Sequence, residues 1–170
     1  MSLHLIIDGY NLIRQSPVLS LLDARDLEAG RRALLESLAA YRRRRPLPLT
    51  VVFDGWLSGN LTETRDRFQG IAILYSRRGQ RADEVIKRLL AQERQRAVVV
   101  SSDRELQDFA LKVGAEFISA REFETRLTLN APFSPPDDPD TPHPISPHKK
   151  GPSHRPNKRQ RQRQQKLKKL

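Results

Sequence analysis

The chain predicts an α/β protein, a central and mostly parallel sheet with helices on both faces, followed by a basic tail with no core of its own. Three observations carry this. Short apolar, β-branched runs alternate with segments of helical periodicity. Each run is continuous rather than alternating, as in strands buried on both faces. And 9 of the 12 prolines fall in residues 131–170, where large apolar side chains are almost absent. Alternating strand and helix gives parallel strands joined by right-handed crossovers. The expected organisation is a globular domain over residues 1–130 and a disordered proline-rich linker and Lys/Arg/Gln-rich tail over 131–170.

The first strand runs from Leu3 to Asp8, and its apolar run stops on the aspartate of Asp8-Gly9-Tyr10-Asn11. From there to Asp23 the sequence mixes a short helical turn with loop, broken at Ser16-Pro17. A helix follows from an N-cap at Asp26 to about Arg44, with Leu27, Leu34, Leu38 and Tyr41 on one face. Arg42 to Arg45 suit its C-terminal dipole, and Pro46 and Pro48 stop it. The second strand, Leu49 to Phe53, repeats the first by ending on Asp54-Gly55. A polar loop precedes the third strand, Ile71 to Tyr75. The basic loop Ser76 to Arg81 then leads into a helix opened by Ala82-Asp83-Glu84, with Val85, Ile86, Leu89 and Leu90 facing inward. The fourth strand, Ala97 to Val100, runs into Ser101-Ser102-Asp103. Ser102 with Glu105 fits a capping box, which places Asp103 in the first turn of a helix ending before Gly114. A last strand, Glu116 to Ile118, and a short helix from Ser119 to about Leu127 complete the domain. The end of the tail is good helix-forming material without an apolar stripe, so it is expected to order only on a partner.

Charge narrows the partners. The chain carries a net +11, of which the tail from Ala131 supplies +7 through ten Lys/Arg and three Asp. A pI near 10.7 points to a polyanion, nucleic acid before membrane, unless the tail merely solubilises. With no cysteine there is neither a disulfide nor a thiolate metal site, and three of the four histidines lie in the tail without zinc spacing. A bound metal is therefore expected on oxygen ligands, which favours Mg²⁺ or Mn²⁺. No apolar run approaches a membrane span and no signal sequence is recognisable at the start, so a cytoplasmic location is the expectation.

In a parallel sheet all strand C-termini share one rim, where open α/β sheets bind ligands. Asp8, Asp54, Asp83 and Asp103 fall at strand ends or at the starts of the following helices. Carboxylates gathered there repel unless a cation neutralises them, and a divalent ion both resolves that conflict and can activate water for displacement at phosphorus. Each aspartate taken singly also reads as a turn former or cap, Asp54 most of all. Asn11, three residues after Asp8, could bind a metal-bound water or a phosphate oxygen, or fix the local loop. Glu84 ranks behind Asp83. Arg77, Arg78 and Arg81 lie beside the carboxylates and could hold a phosphate backbone, with Lys158, Arg159, Arg161 and Arg163 adding affinity from the tail. Tyr10 and Trp56 are candidates for base stacking, though packing roles suit both. A dinucleotide loop, a P-loop and a nucleophile elbow are all missing, and Tyr10 stands where an aspartyl phosphatase needs its second aspartate.

Ile6-Ile7-Asp8-Gly9-Tyr10-Asn11-Leu12 resembles the opening motif of the NYN domain, a PIN-like nuclease fold. Val52-Phe53-Asp54, Ala82-Asp83-Glu84 and Ser101-Ser102-Asp103 follow in the order and rough spacing of its YacP-like bacterial branch, and the match covers about residues 3–128. The resemblance implies a PIN-like three-layer α/β/α sandwich and a metal-dependent RNA endonuclease. It also implies that Asp8, Asp83 and Asp103 are acidic metal ligands, with Asn11 in support. It suggests a link to messenger RNA at the ribosome, while the proline-rich linker and basic end depart from the family pattern. The expected function is thus an Mg²⁺- or Mn²⁺-dependent endoribonuclease. The alternatives are a PIN-like RNA-binding or ribosome-associated adaptor with little or no cleavage, and a small-molecule phosphohydrolase.

Overall fold

The computed structural model describes residues 2–55 and 61–129, together with Gln165 and Lys166. The chain divides into two compact units, Met1–Ala131 and Pro132–Leu170. In the second, only Gln165 and Lys166 are described, and both are helical. Lys158, Arg159, Arg161 and Arg163 lie outside the described residues, as does Trp56.

The first unit is built on a six-stranded sheet of β1 (His4–Asp8), β2 (Leu49–Phe53), β3 (Thr64–Phe68), β4 (Ile71–Tyr75), β5 (Ala97–Val100) and β6 (Glu116–Ile118). Their order across the sheet is β3-β4-β2-β1-β5-β6. All neighbours pair in parallel except β3 with β4. Leu5, Ile6 and Ile7 of β1 and Val51, Val52 and Phe53 of β2 are fully buried, as their unbroken apolar runs require. The helices are α1 (Gly9–Gln15), α2 (Pro17–Arg25), α3 (Leu27–Arg44), α4 (Ala82–Glu93), α5 (Arg104–Val113) and α6 (Ala120–Leu129). One core joins Ile6, Val52, Leu74 and Val99 to Val85, Ile86 and Leu90 of α4 and to Leu106 and Ala110 of α5. Tyr41 of α3 meets Phe123 of α6 edge-on, with ring centroids 5.3 Å apart.

Three expectations need correction. The segment after Asp8 is helical almost throughout. Ser16, extended at ψ 122°, closes α1 through its own N–H and caps α2 through its hydroxyl, so Ser-Pro resets the helix rather than ending it. The polar segment before Ile71 contains the strand β3, whose Thr-Arg-Asp-Arg-Phe sequence has no apolar period because it forms an exposed edge. Its hairpin turn is set by positive φ at Gln69 (46°) and Gly70 (81°), the backbone twist that two-residue hairpins need. Finally, Asp103 rather than Ser102 caps α5. Asp103 is extended and its carboxylate accepts from the Glu105 N–H at 2.7 Å, while the Ser102 hydroxyl accepts from the Ala120 N–H at 3.3 Å.

Candidate active site

The C-terminal ends of β1, β2 and β5 and the first turn of α4 meet at one rim, as the parallel topology dictates. There Asp8, Asp54, Asp83 and Asp103 line a single cavity of about 160 Å³, shared with Tyr10, Asn11, Arg14, Arg81 and Ala82. The four aspartates that the sequence singled out separately are therefore brought together. Of the predicted basic residues, Arg81 lines the cavity, whereas Arg77 and Arg78 are exposed on the preceding loop and Glu84 points to solvent. The Tyr10 ring is buried edge-on against Phe53 at 5.2 Å, the interior role.

Asp8 works twice at this rim. As N-cap of α1 its Oδ1 accepts from the Asn11 N–H at 3.3 Å, and its Oδ2 accepts from the Ser101 hydroxyl at 3.3 Å. The same Ser101 oxygen accepts from the Asp103 N–H at 3.1 Å, which links two carboxylate-bearing positions through one buried serine. Asn11 reaches further: its side-chain oxygen accepts from the Ser102 N–H at 2.8 Å and ties α1 to the turn after β5. Gly9 is needed where α1 leaves β1, because a Cβ there would run into the Phe53 ring.

Burial raises the Asp8 carboxyl from 3.8 to about 6. Hydrogen bonds from Asn11 and Ser101 oppose that rise, the charge of Asp103 adds to it, and Arg14 lowers it. Asp83, 12% exposed, is held by Arg81 Nε at 3.3 Å and approached by Lys87 Nζ at 4.0 Å. Lys87 also pairs with Glu105 and so bridges α4 to α5.

The donor set suits a hydrated divalent ion. Among the described residues no three His, Cys, Asp or Glu side chains converge as a metal cluster. Magnesium, however, commonly takes only one or two protein carboxylates and keeps several waters. The cavity has room for roughly five waters at about 30 Å³ each. Its lining offers four aspartates against two arginines, an excess of negative charge that matches a dication. Every candidate ligand is oxygen.

Arg14 and Ser101 escaped the sequence reading. Arg14 sits one helical turn after Asn11, so i, i+3 spacing from Asn11 was the signal available for it. Ser101 could be found only through the pairing of β1 with β5.

Comparison with known proteins agrees with this architecture. The family model for the YacP-like NYN domain matches residues 5–169. "Uncharacterized protein YacP" of Bacillus subtilis (strain 168) is 32% identical over 85 residues, 50% of this chain and 49% of that protein. The chain thus aligns with about half the length of this curated relative. The crystal structure of a tryptophan-to-leucine mutant of Rae1 (YacP) from Bacillus subtilis superposes with a TM-score of 0.65 at 26% identity. That match covers 76% of this chain and 77% of the other. A second crystal structure of Rae1 (YacP) from Bacillus subtilis gives 0.61 at 28% identity over 75% and 74%.

Proposed function

Since the chain belongs to the YacP-like NYN domain family, within the PIN-like nucleases, we propose that it is a metal-dependent endoribonuclease that hydrolyses RNA phosphodiester bonds. The observation that carries this reading is the convergence of Asp8, Asp54, Asp83 and Asp103 on one cavity. Of Asp8, Asp83 and Asp103, with Asp54 in addition, one or two would hold a hydrated Mg²⁺ or Mn²⁺ directly and the others through its waters. Such an ion, when bound, supplies an activated water and neutralises charge on a phosphoryl group.

The chain's own residues do the positioning. Ser101 and the Asn11 N–H fix both oxygens of Asp8, so that the carboxylate meets a ligand without losing rotamer freedom. Asn11 locks the rim by holding the Ser102 backbone. Arg14, which makes no ion pair among the described residues, supplies a guanidinium for a phosphate oxygen. Arg81 supplies another once the phosphate competes with Asp83. The basic tail adds salt-sensitive affinity for RNA, free or on the ribosome.

The test is incubation of the full chain with single-stranded and structured RNA, with Mn²⁺, with Mg²⁺ and with chelator. Metal-dependent internal cleavage that Asp8→Asn abolishes is expected. Cleavage untouched by that substitution would sink the mechanism. Tight RNA binding with no turnover under any metal would favour the adaptor role instead.

A further inference from the structure

A second cavity, of about 610 Å³, lies on the α4 face of the sheet, between α4 and the edge strand β3. The register of the strands relates it to the acidic site. Asp8 pairs with Val52, Val52 with Leu74, and Leu74 with Arg65, so Asp8 and Arg65 stand in one row across four strands. Three inter-strand steps separate them, about 14 Å. The next row down on the same face is Thr50, Ala72 and Arg67. Strand alternation therefore presents Arg65 and Arg67 side by side over a floor of Leu74, Ala72 and Leu89, with Gln92 as a neutral hydrogen-bonding group.

The charges are arranged for a polyanion. Arg65 and Arg67 are both exposed, Arg65 by 79%. Glu63 pairs with Arg88 at 2.5 Å and with Arg65 at 3.8 Å, fastening α4 to β3 and leaving the carboxylate little charge to repel a ligand. Asp66 accepts from the Arg67 N–H, and the Arg67 guanidinium makes no ion pair among the described residues. β3 is an edge strand of the sheet, so the groove opens along its rim. Guanidinium groups over an apolar floor suit phosphates and unstacked base faces together, which a duplex does not offer.

We propose that this groove binds single-stranded RNA flanking the cleavage position, and that the strand leaves the acidic cavity past Arg81 and descends between α4 and β3. This rests on the nuclease reading above, for it names where the remainder of that substrate lies. The experiment measures binding of single-stranded oligonucleotides of increasing length to the full chain in EDTA, comparing wild type with Arg65→Ala/Arg67→Ala. Affinity should rise with length in the wild type, and the variant should lose roughly tenfold on the longer oligonucleotides. The slope of log K against log salt should fall by about 1.4 for two lost phosphate contacts. Unchanged melting temperature will show that the variant is folded, and Arg67→Ala alone, which breaks no ion pair, should give about half the change in slope.

Equal affinity and equal salt slope for variant and wild type at every length would overturn the groove and leave the nuclease reading standing. An equal loss on a duplex of the same length would overturn the single-strand assignment. Absence of RNA binding by the wild type at any length would overturn both readings.

Discussion

The side-chain oxygen of Asn11 accepts a hydrogen bond from the backbone N–H of Ser102 at 2.8 Å, across 91 residues of sequence. It joins the first turn of α1, which Asp8 caps, to the turn that delivers Asp103. The two halves of the acidic cavity are thus fixed to each other by one amide, and the neighbouring Ser101 hydroxyl supports the same junction through Asp8. This bond sets the geometry that the proposed chemistry needs.

Asn11→Ala should therefore cost more in rate than in stability. Loss of one hydrogen bond is worth about 1 kcal/mol, whereas misplacement of a catalytic group by about 1 Å can cost roughly 10²-fold. Thermal melting and single-turnover cleavage measured together separate the two effects. A fall in melting temperature with no fall in rate would refute the positioning role.

Asp8 predicts a pH-dependent stability of defined sign. Its carboxyl is raised to about 6 in the folded chain against 3.8 unfolded, so the native state binds more protons between those values. Stability from this group is present below 3.8 and is lost as pH rises towards 6. In chelator at pH 7, Asp8→Asn should be more stable than wild type by about 2–3 kcal/mol, each pK unit being about 1.4 kcal/mol. The advantage should fade between about pH 6 and about pH 4. Urea titrations across that range test it, and a gain that persists at the acid end would point to another cause.

Asp103 has a structural and a proposed chemical duty, and two substitutions separate them. Asparagine can still cap α5, so Asp103→Asn should keep the fold while weakening metal-induced stabilisation and cleavage. Asp103→Ala should in addition lose about 1 kcal/mol with the cap. Melting curves with and without Mn²⁺ read both quantities, since a ligand of the native state raises its stability in proportion to occupancy.

Arg14 should matter to the reaction and not to the fold. It is exposed, and Arg14→Ala should lower cleavage by roughly 10²-fold, the usual range for removing one preorganised donor to developing charge. Lysine should restore part of the rate through charge alone. Equal rates for all three proteins would remove Arg14 from the site.

Gly9→Ala tests packing at the root of the motif. A methyl group there meets the Phe53 ring, and overpacking of this kind costs typically about 1–3 kcal/mol. Gly9→Ala/Phe53→Leu should recover part of that loss if the clash is the cause. Equilibrium unfolding of the single and double variants decides the point.

Much of this architecture was legible in the chain itself. Unbroken apolar runs marked the buried parallel strands, because a strand covered on both faces has no polar side to show. Asp26, Gly114 and the prolines after Arg44 marked helix ends through backbone geometry that a few residue types satisfy. Asp8 and Asp54 were visible because each ends an apolar run abruptly, and Asp83 and Asp103 because they stand at the starts of the helices that follow. The edge strand β3 was not visible, since its exposed faces need no apolar period and its pairing is decided by β4. Nor was the capping choice at Asp103: Ser102 has the right chemistry, but the Ala120 N–H claims its hydroxyl.

The sequence by itself determined the strand–helix alternation, the acidic rim candidates and the excess of basic charge, because these depend on residue type and near neighbours. Only the tertiary structure decided which of those groups meet. Strand order brings β5 beside β1 and so places Ser101 on Asp8. It also sets Asp8 and Arg65 in one row and leaves Arg77 and Arg78 away from the cavity. Such relations arise from pairings between strands far apart in the chain, and no local pattern of residues encodes them.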